Sequence, residues 1–159
     1  MPVILKFKDP VKYAWFAFNQ VHGSGLACQE EAFRKLGISY QQYIVLIAIK
    51  KISPPVTLSA VANWLDRSPH TITLIVDRME KNGIVSRIKD LRDRRTTRVV
   101  ITPEGERVYK RASRSSYDVP KLIFSSLTPE ELSQAITIFE KMRETTYQYR
   151  GITDKVFYK

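Results

Sequence analysis

Cysteine and histidine are scarce in this chain of 159 residues. Cys28 is the only cysteine, and His22 and His70 are the only histidines. A single thiol cannot form an internal disulfide, and two distant histidines do not make up the ligand set of a structural zinc site. The sequence therefore predicts no disulfide, no metal site and no cofactor.

Long apolar runs are missing too. The early run Val3-Ile4-Leu5 is too short for a signal peptide, and no later stretch approaches the roughly 18 apolar residues of a membrane span. The composition, 43% apolar and 26% charged, is globular. We therefore expect a soluble cytoplasmic protein with one domain over residues 1–159.

Acidic residues are few beside the basic ones, at 16 against 26, which gives a net charge of +10. Between Arg78 and Arg114 there are 12 Lys/Arg and five Asp/Glu. Positive charge concentrated in one window is typical of proteins that bind a polyanion. A membrane surface is a poorer partner, because this window contains no long helix with a broad apolar face.

Helical spacing of apolar residues predicts a first helix over residues 10–36. Gly23 and Gly25 indicate either a kink or a close helix–helix approach within it. Ser39 is expected to cap a second helix, whose apolar run at 43–49 predicts burial on most sides.

A short helix, a tight turn and another helix are predicted next. Thr57-Leu58-Ser59 leads into a short helix at residues 60–65, and Asp66-Arg67-Ser68 forms the turn. Ser68 followed by Pro69 is a typical N-cap with proline at the first helical position, and this helix should run to about Asn82.

The pattern then becomes extended. Residues 84–88 and 97–101 are rich in β-branched side chains and flank a charged loop at 89–95, which predicts a hairpin with a basic tip, or wing. Two further helices, over 102–124 and from Thr128 onward, each begin with Thr-Pro. The predicted fold is mainly α with a small β hairpin, in the order four helices, strand, wing, strand, two helices.

The helix from Pro69 has two unlike faces. At about 100° per residue the apolar face carries Ile72, Ile75, Val76 and Met79, and the opposite face carries His70, Leu74, Asp77 and Lys81. The second helix of such a unit enters the major groove, where Thr and His bond base edges or phosphates and a leucine meets a thymine methyl. An ordinary solvated face is the alternative. The predicted DNA contacts here are Ser68, His70, Thr71, Thr73, Leu74 and Arg78.

The wing tip alternates arginine with Asp90 and Asp93. An arginine at a hairpin tip fits the narrow, electronegative minor groove, and a neighbouring aspartate can hold its guanidinium in one geometry. A salt-bridged solvated turn would explain the mixed charge but not the four arginines between Arg92 and Arg98. The predicted DNA contacts of the tip are Arg92, Asp93, Arg94 and Arg95.

Five motifs occur in a fixed order: Leu58-Ser59-Ala60-Val61-Ala62, Thr71-Ile72-Thr73, Val76-Asp77-Arg78-Met79-Glu80-Lys81-Asn82-Gly83, Asp90-Leu91-Arg92-Asp93-Arg94-Arg95 and Ile101-Thr102-Pro103-Glu104-Gly105. Together they resemble the MarR family of winged helix-turn-helix transcription regulators. The wing sequence is the most specific of them.

The resemblance implies a homodimer on a palindromic site in double-stranded DNA. Residues 38–104 would form the DNA-binding part, and residues 8–37 and 105–150 the dimerisation helices. The minor-groove arginine would be Arg95, or alternatively Arg94, oriented by Asp93. The family function so implied is a repressor that a small-molecule ligand releases.

Family members commonly bind small aromatic or phenolic anions between the dimer base and the winged part. The candidate lining residues here are Trp15, Phe18, His22, Tyr40 and Tyr43. Their helical spacing suits core and dimer packing equally well.

Two positions depart from the family pattern. Leu74 lies where an arginine often follows the threonine of the recognition helix. Cys28 lies about four turns beyond the position, near Ala14, of the cysteine of peroxide-sensing members, so we expect a buried, inert thiol.

Two other functions remain open: a winged-helix module that docks a protein, and a redox-responsive regulator acting through Cys28. No nucleophile–base pair, phosphate-binding glycine loop or paired carboxylates are evident in the sequence, so an enzyme is not predicted.

Overall fold

The computed structural model describes residues 8–89 and 97–152. Within them the chain forms seven helices and a two-stranded sheet. The elements are α1 (Pro10–Arg34), α2 (Tyr40–Lys51), α3 (Leu58–Leu65), α4 (Pro69–Lys81), β1 (Val85–Lys89), β2 (Thr97–Ile101), α5 (Pro103–Ser115), α6 (Asp118–Phe124) and α7 (Pro129–Tyr149). The predicted fold class is confirmed.

Hydroxyl caps set the starts of the helices, as the sequence predicts. The side chains of Ser39, Ser68, Thr102 and Thr128 each accept a hydrogen bond from a backbone N–H in the first turn. Three of these caps precede a proline, whose missing N–H has no partner to lose at that position. The capping boxes at Ser39 and Thr128 add the reciprocal bond from the cap's own N–H.

The segment predicted as one helix over 102–124 is divided into α5 and α6. The break falls at Ser116 and Tyr117, and Pro120 lies in the first turn of α6. In a continuous helix Pro120 would remove the bond to the carbonyl of Ser116 and its ring would clash there. In a first turn the same proline is tolerated, so the chain restarts its helix.

The first helix is continuous through both of its central glycines. A Cβ at Gly25 would meet Ile123 of α6 at 3.4 Å, whereas one at Gly23 would meet nothing within 4 Å. Of the two predicted roles for these glycines, the close helix approach therefore applies at Gly25. Gly37 follows the helix with a φ of 75°, a conformation that glycine adopts without strain.

The hydrophobic core lies among α2 to α5 and the sheet. Its largest fully buried side chains include Leu46, Ile72, Met79 and Val99, and α1 contributes Phe33. The predicted apolar face of α4 is confirmed, because Ile72, Val76 and Met79 are fully buried and Ile75 is half-buried against the core.

The sheet is an antiparallel pair in which Val85 is opposite Ile101 and Lys89 is opposite Thr97. The segment before α3 extends it, since the Val99 N–H donates to the Val56 carbonyl at 2.9 Å. At the base of the hairpin, Thr102 Oγ1 donates to the Gly83 carbonyl at 2.6 Å. A Cβ at Gly105 would lie 2.0 Å from the Ile84 carbonyl oxygen, so this position requires glycine.

We call residues 38–104 the winged head, and α1, α6 and α7 the terminal helices. No helix in residues 8–89 or 97–152 is long and apolar enough to cross a membrane.

Candidate nucleic-acid interface

The structure presents α4 on the surface of the winged head. Its buried face packs on the core, and the opposite side exposes His70, Thr71 and Leu74, with Leu74 46% exposed. Asp66 supplies the turn before α4, with a φ of 55°. This left-handed conformation is less costly for Asp than for most other side chains, which explains an aspartate at the tight turn.

Local hydrogen bonds occupy part of the hydroxyl capacity of the α4 surface. Thr73 Oγ1 donates to the Pro69 carbonyl at 2.9 Å, and Ser68 Oγ lies 2.8 Å from Thr71 Oγ1. The Thr73 hydroxyl proton is therefore already used, while its oxygen retains a lone pair that can accept from the amino group of a base.

An ion-pair cluster ties the wing strand to α4. Arg87 of β1 contacts Asp77 at 2.6 Å through Nη2 and Glu80 at 2.6 Å through Nη1. The Arg87 backbone N–H also donates to Glu80 Oε1 at 2.8 Å. That backbone bond, followed by the guanidinium bond, lowers the pKa of Glu80 from its ordinary value.

The consequence of this cluster is a fixed angle between α4 and the hairpin. One guanidinium fork bridges two carboxylates a helical turn apart, so it restrains the strand both along and across the helix axis. Sequence reasoning missed this role and placed Asp77 on the DNA-facing side. A signal was available in the i, i+3 acidic pair, Asp77 and Glu80, followed by an arginine on the next strand.

The wing tip itself lies outside the described residues. Arg92, Asp93, Arg94 and Arg95 all fall there, so their DNA contacts stay predictions. The strands that carry the tip are described, and they emerge beside the exposed face of α4 through the Arg87 cluster.

Arg78 lies one turn after Leu74 on α4, towards the side that also carries Thr71. It lines an open groove of about 460 Å³ together with Arg67, Thr71 and Ile75, against the start of α2. Its position beside Arg67 places two exposed guanidiniums along one side of the helix-turn-helix unit. Such a flank suits backbone phosphates better than base edges, because phosphate contacts position a protein at the groove edge.

The five candidate ligand-binding residues form two separate groups. Trp15, Phe18 and His22 stack along α1, with ring centroids 5.9 and 6.1 Å apart. Tyr40 and Tyr43 instead pack on Phe33, with centroids at 5.3 and 4.9 Å. Since 15 residues of helix separate Phe18 from Phe33, the groups are about 22 Å apart along α1.

The tyrosine group belongs mostly to the core. Tyr43 is buried, and its hydroxyl donates to Ser113 Oγ at 3.3 Å. Tyr40 is half-buried, and burial, aided by Tyr43 and Glu30, raises the pKa of its hydroxyl. Tyr40 therefore keeps its proton near neutral pH and can donate a hydrogen bond. Neither tyrosine lines the open groove of about 610 Å³ between α1 and α2, which Glu30, Arg34 and Gln42 help to form.

The terminal helices expose large apolar side chains. Those of α1 and α6 are Val11, Tyr13, Trp15, Phe18, Val21, Leu122, Ile123 and Phe124, and those of α7 are Ile136, Ile138, Phe139, Met142 and Tyr149. Between α6 and α7 they line an apolar groove of about 530 Å³. Large apolar side chains exposed in this number mark a site of association.

The prediction of a buried Cys28 is wrong for the single chain, in which its side chain is exposed. The thiol lies in a shallow groove with Ser24, Gly25 and Ile123. Glycine and serine are too small to cover it, and α6 contributes only Ile123 nearby. Among the described residues, no group of three or more His, Cys, Asp or Glu side chains could hold a metal ion.

The comparisons with known proteins agree with this geometry. The MarR family model matches residues 38–97. An uncharacterised helix-turn-helix-type transcriptional regulator, YsmB of Bacillus subtilis, is 32% identical over 111 residues, which cover 70% of this chain and 73% of the relative.

Two solved structures share the fold at lower identity. The organohalide-sensing regulator RdhR in its 2,4-dichlorophenol-bound form has a TM-score of 0.83 at 21% identity, covering 100% of this chain and 99% of that one. A cysteine-to-serine variant of MarR from Escherichia coli, in complex with operator DNA, has a TM-score of 0.77 at 18% identity, covering 87% and 99%.

Proposed function

Because this chain belongs to the MarR family of transcriptional regulators, we propose that it binds a palindromic site in double-stranded DNA as a homodimer and represses transcription there. The observation that carries the proposal is an exposed helix, α4, with a wing strand held to it by Arg87. A dimer over a promoter would exclude polymerase. The proposal places the protein in the cytoplasm and gives it no catalytic role.

The proposed contacts follow from the placement of α4. His70, Thr71, Thr73 and Leu74 would face base edges from the exposed side, and Ser68 and Arg78 would bind phosphates. A leucine at position 74 would favour a thymine methyl over a guanine. The wing would place Arg95, or alternatively Arg94, in the minor groove, with Asp93 orienting its guanidinium.

The proposed dimer rests on the apolar surface of the terminal helices. A single copy leaves the side chain of Trp15 63% exposed and that of Phe139 46% exposed. A two-fold partner would supply the missing surface, because a two-fold interface brings the same patch of both copies together.

The proposed effector is a small aromatic molecule. RdhR provides the analogy, since its structure contains 2,4-dichlorophenol. In this chain, Trp15, Phe18 and His22 form a row of rings for stacking, and Tyr40 adds a protonated hydroxyl. The two groups are far apart, so one ligand would contact only one of them in a single chain.

A substitution in the wing tests whether the protein binds DNA as proposed. Replacement Arg95→Ala should weaken binding to a selected palindromic duplex by about 5- to 150-fold, the equivalent of about 1–3 kcal/mol for one well-made base-reading contact. Fluorescence anisotropy at fixed salt measures it. The matched control is Arg107→Ala, which removes an exposed arginine paired with Glu104 on α5. Equal affinities of the Arg95→Ala and wild-type proteins would remove the wing from the proposal.

Redox control through Cys28 is a second candidate, favoured by the exposure of the thiol. Treatment with peroxide would then abolish DNA binding by the wild type and leave binding by the Cys28→Ser variant intact. The same loss in both proteins, or in neither, excludes it.

A further inference from the structure

An ion pair joins the end of the last helix to the turn of the helix-turn-helix unit. Arg150, the C-terminal cap of α7, donates through Nη2 to Asp66 Oδ1 at 2.9 Å and through Nη1 to Asp66 Oδ2. Asp66 is the left-handed residue between α3 and α4. Two parallel bonds from a planar guanidinium fix direction as well as distance.

Both ends of this pair are held by their own backbones. The Asp66 N–H bonds back to the Ala62 and Asn63 carbonyls of α3. Beyond Arg150, the Ile152 N–H donates to the Tyr147 carbonyl at 2.9 Å, so the last turn of α7 is closed. The bridge therefore connects two well-defined points of the backbone rather than two loose side chains.

The remainder of α7 points to what the bridge connects. Its N-terminal half lines the apolar groove with α6, through Leu132, Ile136 and Phe139. Its 21 residues span about 31 Å, and none of them, all being described, is buried. The helix is thus a rod with its start in the proposed dimer groove and its end on the DNA-reading turn.

We infer that the Asp66–Arg150 bridge sets the position of α4 relative to the dimer base, and so determines which half-site spacing the dimer accepts. The inference rests on the proposed function. Two α4 helices must be one DNA turn apart, about 34–36 Å, to enter successive major grooves. Adding or removing one base pair between the half-sites alters that separation by about 3.4 Å. A head whose position is fixed at Asp66 would adapt poorly to that change.

An exposed ion pair contributes little to the free energy of unfolding. We therefore expect the bridge to affect the preference for one half-site spacing rather than the stability of the fold. The experiment uses the palindromic duplex that the wild-type protein selects from a random library. Duplexes with one central base pair added or removed are then compared with it by anisotropy. We expect Arg150→Gln and Asp66→Asn each to reduce the preference for the selected spacing by about two- to fivefold, the fold-change corresponding to an exposed ion pair.

The two substitutions change the net charge in opposite directions, so an effect shared by both cannot be bulk electrostatics. Asparagine also keeps the left-handed turn accessible at position 66. The double variant should show no further loss, and Arg150→Lys should retain part of the preference through a single bond. Arg107→Gln, which breaks an exposed ion pair within α5, should leave the spacing preference unchanged.

The outcomes separate the two proposals. A wild-type protein that selects no palindrome would overturn the proposed function itself. If the wild type has a sharp spacing preference and the folded Arg150→Gln and Asp66→Asn variants keep the same preference, only the role of the bridge is overturned.

Discussion

The winged head and the terminal helices use the same kinds of side chain in opposite ways. In the head, α2 alone buries Tyr43, Val45, Leu46, Ala48 and Ile49. In the fully described helices α6 and α7, no residue is buried, although both are rich in Leu, Ile and Phe. The head thus completes its core within one chain, whereas α6 and α7 would bury their apolar side chains only against a second copy.

The difference shows where each part obtains its stability. The head has a capped α4 and an ion-paired wing strand within residues 38–104, and its continuous core is completed by Phe33 of α1 and by Val108 and Ala112 of α5. The terminal helices depend on burying apolar area between chains, at about 25 cal/mol per Å². Folding of the head and dimerisation should therefore respond to different substitutions.

The largest expected effect is at Gly105, where α5 packs on the β-hairpin of the head. In the Gly105→Ala variant the new Cβ would lie 2.0 Å from the Ile84 carbonyl oxygen and 2.7 Å from Ile101 Cγ2, both in the β-hairpin base. The hairpin must move off α5, and we expect a loss of about 3 kcal/mol or more in the free energy of unfolding. Chemical denaturation monitored by circular dichroism measures it.

Gly23→Ala in α1 is the matched control, since a Cβ there meets nothing within 4 Å. It should leave stability unchanged or raise it by about 0.5–1 kcal/mol, because alanine favours the helix. A Gly105→Ala protein as stable as the Gly23→Ala protein would mean that the hairpin base is not packed as described.

The next effect is in the terminal helices, at Phe139. Replacement Phe139→Ser removes an aromatic ring from the groove between α6 and α7 in both copies of a dimer. At about 1.5 kcal/mol per copy, the dimer dissociation constant should rise roughly 100-fold. Sedimentation equilibrium measures it.

Leu74→Ser on α4 serves as its control, because Leu74 and Phe139 are equally exposed, at 46% each. The Leu74 variant should remain dimeric. If both variants dissociate alike, or if neither does, the terminal helices are not the interface.

The parts of the fold that depend on local sequence could be predicted without the structure. Helix starts were predictable, because Ser-Pro and Thr-Pro caps act within four residues. The apolar face of α4 was also predictable, because helical periodicity depends only on residues that are close in sequence. The break before Pro120 was missed, although both the proline and the weak helix formers at 115–119 mark it in the sequence.

The rest depends on contacts between distant residues. Arg87 and Asp66 are ordinary surface charges in the sequence, and only the fold brings them to Glu80 and Arg150. Cys28 was predicted to be buried because it lies far from the position of the family's sensing cysteine, whereas its exposure depends on the small neighbours Ser24 and Gly25. Beyond the i, i+3 spacing of Asp77 and Glu80, these contacts leave no periodic pattern in the sequence.

The smallest expected effect is in the pH dependence of the head. The hydrogen bonds from Arg87 hold the pKa of Glu80 below its ordinary value, so Glu80 stabilises the fold above the pKa it has when unfolded. That contribution is lost as the pH falls from about 4.5 through the lower pKa of the folded state. Glu80→Gln should therefore flatten the fall in thermal midpoint over this acid range.

Arg87→Met should flatten the same fall, because it removes the donor that lowers the pKa of Glu80. The thermal midpoint, followed by circular dichroism between about pH 3 and pH 6, measures both variants. An acid-range slope equal to that of the wild type in both would show that the cluster does not hold the wing strand in solution.

The most direct test of the account is a titration of the protein into duplex DNA at several salt concentrations, with the mass of the complex measured in parallel. We predict a dimer bound to one palindromic sequence, with affinity falling steeply with salt, as expected for roughly 6–10 phosphate contacts. Two results would contradict it: no DNA binding even at low salt, or binding by a monomer without sequence preference. Either result would favour the winged head as a protein-docking module.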